Sequence, residues 1–233
     1  MSAGTPLVLL PGLLCDAALW RHQTDTLADI AEITVADLTG GDCLEDMARS
    51  VLETAPETFA LAGLSMGGFV AQAVMRQAPD RVTRLALLDT SARADTPGQS
   101  ERRRAFIEQT RRGDFKGVTS RLLPMLIHPD RLEDGDLTGA ITTMAEGVGK
   151  EAFLRQQNAI MNRPDCRRDL SAIHCPTLVL CGRQDALTPL AGHQEMADGI
   201  ANAKLVVIED CGHMAPLERP RAVSAVMRYW LND

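Results

Sequence analysis

Aromatic residues are scarce in this sequence: five Phe, two Trp and one Tyr make up 3 % of 233 residues. Basic residues are in deficit as well, with 24 Lys plus Arg against 31 Asp plus Glu and a formal net charge of -7. A nucleic-acid surface needs cations to neutralise phosphate and rings to stack on bases, so both shortages speak against one. No apolar run approaches the roughly 20 residues that span a bilayer, so a membrane partner is not expected either. The run Pro6 to Leu14 has the length of a signal-peptide core, but no Lys or Arg precedes it and Pro11 and Gly12 interrupt it. We read it as a buried strand followed by a turn, which points to the cytoplasm. The six cysteines, Cys15, Cys43, Cys166, Cys175, Cys181 and Cys211, include no C-x-x-C pair, and a chain of this length needs no covalent staples. Neither a metal site nor a disulfide framework is indicated, and the thiols read as small buried hydrophobes.

What is present is an ordinary globular composition, 45 % hydrophobic and 24 % charged, in a length that suits one domain, since single cores stop growing at roughly 250 to 300 residues. Short apolar runs alternate with helical stretches, the pattern of an α/β fold with a parallel sheet. Six runs have strand length: Leu7 to Leu10, Ile33 to Leu38, Phe59 to Leu64, Leu85 to Asp89, Thr177 to Cys181 and Leu205 to Glu209. Each is apolar throughout or nearly so, as strands buried on both faces should be. Between them Leu44, Met47, Ala48, Val51 and Leu52 share one helix face, with Asp42 and Glu45 as a prospective capping box. Thr188 with Pro189 is a similar start signal. From Pro220, Val223, Val226, Met227, Trp230 and Leu231 form one stripe.

Residues 93–170 break the alternation. Helical stretches are expected at Glu101 to Arg112, Leu122 to Ile127, Leu137 to Val148 and Glu151 to Met161, with no convincing strand. The expected organisation is a core of residues 1–92 and 171–233 with a helical lid insertion at 93–170. The lid would sit over the C-terminal edge of the sheet, where open α/β proteins bind their ligands.

The third strand runs into Gly63-Leu64-Ser65-Met66-Gly67-Gly68, a G-x-S-x-G sequence between a β run and a helix from Phe69 to Ala78. That context is what a nucleophile elbow requires, with the hydroxyl offered at a helix N-terminus by a strained turn whose flanks need glycine. Ser65 is therefore the candidate nucleophile. A serine needs a base, itself oriented by a carboxylate. His213 follows the sixth strand in Glu209-Asp210-Cys211-Gly212-His213-Met214, at the same sheet edge as Ser65 because parallel strands all end on one side. His22 and His193 fall in helical stretches, His128 in the insertion, and His174 just before a strand, so they fit less well. The carboxylate is expected from Asp185 in Gly182-Arg183-Gln184-Asp185, with Asp89 at the end of the fourth strand as competitor.

Taken together, the chain resembles α/β-hydrolase fold proteins, in the compact group of lidded esterases and related hydrolases. Leu9-Leu10-Pro11-Gly12, Gly63 to Gly68, Gly182 to Asp185 and Gly212-His213 stand where that family's motifs stand, and Ala186-Leu187-Thr188-Pro189 resembles the usual sequel to its acid. The resemblance covers nearly the whole chain. It departs at Pro11-Gly12-Leu13, where many relatives have His-Gly, and the first strand corresponds to the one the family usually places third. The resemblance implies a six-stranded parallel sheet with helices on both faces, and an oxyanion hole made of the backbone N–H groups of Leu13 and Met66. It also implies cleavage of a carboxylic ester, lactone or thioester of a small to medium acyl substrate through an acyl-enzyme, with no metal and no cofactor. Carbon–carbon bond hydrolysis or acyl transfer on the same triad is the alternative, and a non-catalytic ligand-binding protein is the rival from another class. In the insertion Leu122, Leu123, Met125, Leu126 and Ile127 cluster, and Leu126, Met144 and Phe153 are the candidate pocket residues.

Overall fold

The computed structural model describes residues 4–113, 115, 117, 118, 120 and 122–233. Among them, β1 (Thr5–Leu10), β2 (Ala31–Val35), β3 (Phe59–Leu64), β4 (Val82–Leu88), β5 (Thr177–Gly182) and β6 (Ala203–Ile208) form one sheet. Its order is β2-β1-β3-β4-β5-β6 and every neighbouring pair is parallel. The chain steps one way from β1 to β2, then returns past β1 to β3, so the topological switch lies between β1 and β3.

Alternate residues of each strand face opposite sides, and the core divides accordingly. Leu7, Leu9, Ala60, Ala62, Leu64, Leu178 and Leu180 pack on one face, beneath Val223, Met227 and Trp230 of α9 (Pro220–Asn232). On the other, Val8, Leu10, Leu61, Leu85, Leu87 and Val179 meet α2 (Leu44–Thr54) and α3 (Met66–Gln77). The sheet interior, β3 and β5, is buried at every residue. The expectation of burial on both faces fails for β2 and β6, which are half-exposed along most of their length. They are the edge strands, and an edge strand has a neighbour and a covering helix on fewer sides.

The expected capping box of α2 is also corrected. The cap position is Cys43, in extended conformation and without a side-chain cap bond. Asp42 therefore lies one residue outside the helix, and Glu45 reaches Arg76 of α3 at 3.2 Å instead. The stretch between β4 and β5 is helical and without a strand among its described residues: α4 (Pro97–Arg112), α5 (Leu123–Leu126) and α6 (Gly135–Met161). A capping box does occur at α4, where Thr96 and Gln99 exchange hydrogen bonds. The two helices expected at 137–148 and 151–161 are the halves of α6, separated at Gly149 with φ 80° and ψ 177°. Ile127, Leu137, Ile141, Met144 and Phe153 of this stretch join the same core as β1 and α9, so most of its apolar surface is spent on the body.

Candidate active site

Register decides which loops meet. Leu10 pairs with Gly63, Leu64 with Leu88, Leu88 with Leu180, and Gly182 with Ile208, so the chain leaves five neighbouring strands along one edge. Strain collects there. The non-glycine residues with left-handed φ among the described residues are Leu14, Ser65, Asp89 and Asp210, following β1, β3, β4 and β6 respectively. Backbone held off its preferred wells persists only where its surroundings dictate it, and such places cluster at functional sites.

At the end of β3, Ser65 adopts φ 54° and ψ -112° and caps α3, the turn being held by Ser65 N–H donating to Leu88 O at 2.9 Å and by the Thr90 hydroxyl donating to Ser65 O at 2.8 Å. A side chain at Gly67 would bring Cβ within 2.2 Å of Leu10 O, so only glycine lets the helix start so close to the end of β1. The Ser65 hydroxyl lies 2.9 Å from His213 Nε2, and His213 Nδ1 lies 2.8 Å from Asp185 Oδ2. An ionised carboxylate only accepts, so the imidazole proton resides on Nδ1 and Nε2 is left to accept from the serine.

Asp185 is fixed further by the N–H groups of Leu187 and Thr188 on Oδ1, at 2.8 and 2.9 Å, and by the Thr188 hydroxyl on Oδ2 at 2.6 Å. Burial pushes its carboxyl up, but the charge and hydrogen bond of His213, with the donors of Thr188, outweigh burial and hold it below the usual carboxylate range. Asp89 stands behind this group. It is wholly buried and accepts from Gly182 N–H at 2.8 Å and from Ala215 N–H at 3.4 Å, while the His213 ring bonds to Ser65, Asp185 and, more distantly, Thr188. Burial and then the charge of Asp185 push its carboxyl well above the ordinary range.

The other histidines stay out of the relay. His193 is fully buried, accepts from Thr90 N–H at 2.9 Å, and is pushed down to about 4 by burial, so it is neutral at pH 7. His22 bonds to Ser224, the His128 ring accepts from Asp130 N–H, and His174 is exposed. Asp89, Asp185 and His193 have donor atoms within 4.8 Å of one another, the spacing of a metal site. His193 Nε2 and Asp185 Oδ2 are, however, already engaged by Thr90 and His213. Asp42, Cys43 and Asp46 form a second such group at the surface.

The family model of the alpha/beta hydrolase fold matches residues 41–220. The chain belongs to the α/β-hydrolase fold family. It is 26 % identical to a pimeloyl-[acyl-carrier protein] methyl ester esterase of Nitrosomonas europaea, over 93 % of this chain and 92 % of that one. Among solved structures, a thermophilic esterase of Thermogutta terrifontis is 32 % identical with a TM-score of 0.89, covering 99 % of this chain and 90 % of that chain. The enol-lactonase of Burkholderia xenovorans LB400 is 25 % identical with a TM-score of 0.90, covering 100 % and 93 %.

In this α/β-hydrolase the two backbone groups expected to face an oxyanion lie three residues beyond the paired Leu10 and Gly63. Met66 is the first residue of α3, where N–H groups have no acceptor within the helix. Leu13, half-buried, follows β1 at the switch point. Of the candidate pocket residues, Leu126 is half-buried and its carbonyl accepts from His213 N–H at 3.0 Å. Met144 and Phe153 are buried in the core, the latter against Phe115 at 5.4 Å between ring centres.

Three polar residues have roles here that no motif spells out. Thr188, a helix-start signal and part of the sequel to the acid, bonds to Asp185 through both its N–H and its hydroxyl. Gln156 interrupts an apolar stripe of α6 containing Ala152, Phe153, Ala159 and Ile160, and a polar residue on such a stripe is a signal available from sequence. Glu218, in α8 (Ala215–Glu218), is 2 % exposed and accepts from three N–H groups: Gly212 at 2.9 Å and Met214 at 3.2 Å on Oε1, and His128 at 2.7 Å on Oε2. It thereby ties both neighbours of His213 to the segment after α5. An amide offers one acceptor oxygen where this site uses two, so Glu218→Gln should strand buried N–H groups and cost about 1–3 kcal/mol. A denaturant midpoint unchanged from the parent protein would contradict this.

Proposed function

We propose that the protein is a serine hydrolase of carboxylic esters or lactones, with thioesters in the same class, acting on a small-molecule acyl substrate through an acyl-enzyme. The Ser65, His213 and Asp185 relay, 2.9 and 2.8 Å between successive members, is the observation that carries this reading. Ser65 attacks the carbonyl carbon while His213 Nε2 takes its proton, and Asp185 holds the imidazole tautomer and stabilises the imidazolium. The N–H groups of Leu13 and Met66 receive the oxyanion. Collapse of the tetrahedral species breaks the ester bond, His213 returns the proton to the departing alkoxide, and water repeats the sequence to release the acid. Side chains and backbone suffice for each step. The ester and lactone chemistry named for the Nitrosomonas, Thermogutta and Burkholderia proteins supports the bond type. We include a cytoplasmic setting, which six free thiols favour and which agrees with the absence of a helix long and apolar enough to cross a membrane among the described residues. We also read residues 93–170 as a roof over Ser65.

The test is a panel of p-nitrophenyl esters, lactones and thioesters, with a fluorophosphonate as active-site label. One label per chain is expected on Ser65, and a folded protein that takes up none would reject the hydrolase. If part of the apolar surface around Leu126, Met144 and Phe153 faces the acyl group, a buried methylene contributes about 0.8 kcal/mol and kcat/KM should rise several-fold from acetate to butyrate. A monotonic fall from acetate onward would assign those residues to packing alone.

A further inference from the structure

Leu14 has φ 58°, a conformation leucine does not favour, one residue after the proposed oxyanion donor Leu13. Two contacts hold it. Cys15 N–H closes a turn on Gly12 O at 3.2 Å, and Leu14 N–H donates to the side-chain oxygen of Gln156, 142 residues away on α6, at 3.1 Å. The other end of that amide donates to Leu38 O at 3.2 Å, in the loop after β2. Gln156 is 1 % exposed and cannot turn over, because its NH2 would then meet Leu14 N–H and its oxygen Leu38 O. The helix that carries it is itself pinned to the same loop, by Arg155 Nε on Thr39 O at 2.8 Å and Asn158 Nδ2 on Asp42 O at 3.2 Å. A fixed helix thus presents a fixed acceptor to the strained residue of the loop after β1.

We infer that Gln156 is a positioning residue for the oxyanion hole: through Leu14 it sets the direction of the Leu13 N–H. This rests on the triad and oxyanion reading above and adds a role for α6 beyond covering the site. An oxyanion donor contributes only when it points at the oxygen as charge develops, so a loop released by loss of Gln156 should bind substrate almost as before and turn it over more slowly.

Gln157 provides the control. It is buried on the same turn of α6 and its amide oxygen accepts from Arg103 at 2.8 Å, away from the loop. The experiment compares Gln156→Met, Gln156→Glu and Gln157→Met with the parent protein, using p-nitrophenyl butyrate turnover and the affinity of butaneboronic acid. The boronic acid adds the Ser65 oxygen to boron and so mimics the tetrahedral intermediate. For Gln156→Met we expect kcat to fall about 10- to 100-fold with KM changed by less than about threefold, and boronate affinity to fall by a similar factor. Gln156→Glu keeps an acceptor opposite Leu14 N–H and should fall between the parent and Gln156→Met. Gln157→Met should keep kcat within about twofold while lowering the unfolding midpoint.

The inference is overturned if Gln156→Met loses no more kcat than Gln157→Met, or if kcat falls while boronate affinity does not. Should Gln156→Met fail to fold, Gln156→Asn, whose shorter side chain draws the amide oxygen away from Leu14 N–H, decides: reduced kcat with matching loss of boronate affinity supports the role, and parental kcat ends it. A Ser65→Ala protein that still turns over ester would remove the triad reading itself, whereas an inactive Ser65→Ala beside an unaffected Gln156→Met removes only the role of Gln156.

Discussion

Ser65→Ala should leave a folded protein with turnover reduced by about 10⁴- to 10⁶-fold, the loss seen when a member of a serine triad is removed. The hydroxyl is the group the relay delivers to the sheet edge, 2.9 Å from His213 Nε2. Alanine keeps the backbone contacts that shape the turn, since Ser65 N–H and O, bonded to Leu88 and Thr90, are main-chain groups. Unfolding should therefore stay near the parental midpoint while the rate collapses. Turnover and thermal unfolding measured on the same preparation decide it: more than about a tenth of parental activity would show that Ser65 is not the nucleophile.

The second expected result separates two carboxylates that share one buried neighbourhood. Asp185→Asn should cost on the order of 10³- to 10⁴-fold in turnover, because an amide cannot enforce the imidazole tautomer that leaves Nε2 free to accept. Asp89→Asn should cost far less. Burial and then the charge of Asp185 push the Asp89 carboxyl up, disfavouring its ionised form, and an amide oxygen can still accept from Gly182 N–H. The sign of its linkage to stability follows. A carboxyl raised in the folded state binds its proton more tightly there than in the unfolded chain, so its contribution is complete below the unfolded value and is lost as pH rises towards the folded one. Asp89→Asn should therefore flatten the decline in stability above the ordinary carboxylate range. Urea midpoints of parent and variant across pH 4 to 8, with turnover at pH 7, test both points, and the reverse ranking of the two variants would move the acid to the end of β4.

Much of this is legible in the sequence because the relevant signals are local. The strand-to-helix junction at Gly63 to Gly68, the Gly212-His213 turn and Asp185 after β5 each depend on a few consecutive residues, and parallel strands carry all three loops to one edge. The register then turned nearness in principle into contacts of 2.9 and 2.8 Å. The expected break between the halves of α6 also held, at Gly149, since glycine there needs only a local signal.

What failed or stayed hidden depended on partners far away in sequence. Apolar composition made β2 and β6 look like interior strands, but position in the order β2-β1-β3-β4-β5-β6, which no single segment encodes, left them at the edges. The Asp42 and Glu45 spacing suited a cap, yet Arg76 of α3 claimed Glu45 and the helix began after Cys43. Asp185 is the expected acid from its loop after the fifth strand, but Asp89, also at a strand end, stays a competitor in the sequence. Only packing pushed the carboxyl of one up and gave the other His213, because desolvation and hydrogen-bond donors are properties of a surrounding, not of a residue. Sequence by itself determined the α/β alternation and the strand-to-helix junction at Ser65, and it put His213, Asp185 and Asp89 on loops at one sheet edge, all through short-range signals. Tertiary structure alone decided which carboxylate meets the imidazole, and joined Gln156 to Leu14 and Glu218 to the residues flanking His213, since those hydrogen bonds exist only once α6 and α8 are seated against the loops at the sheet edge.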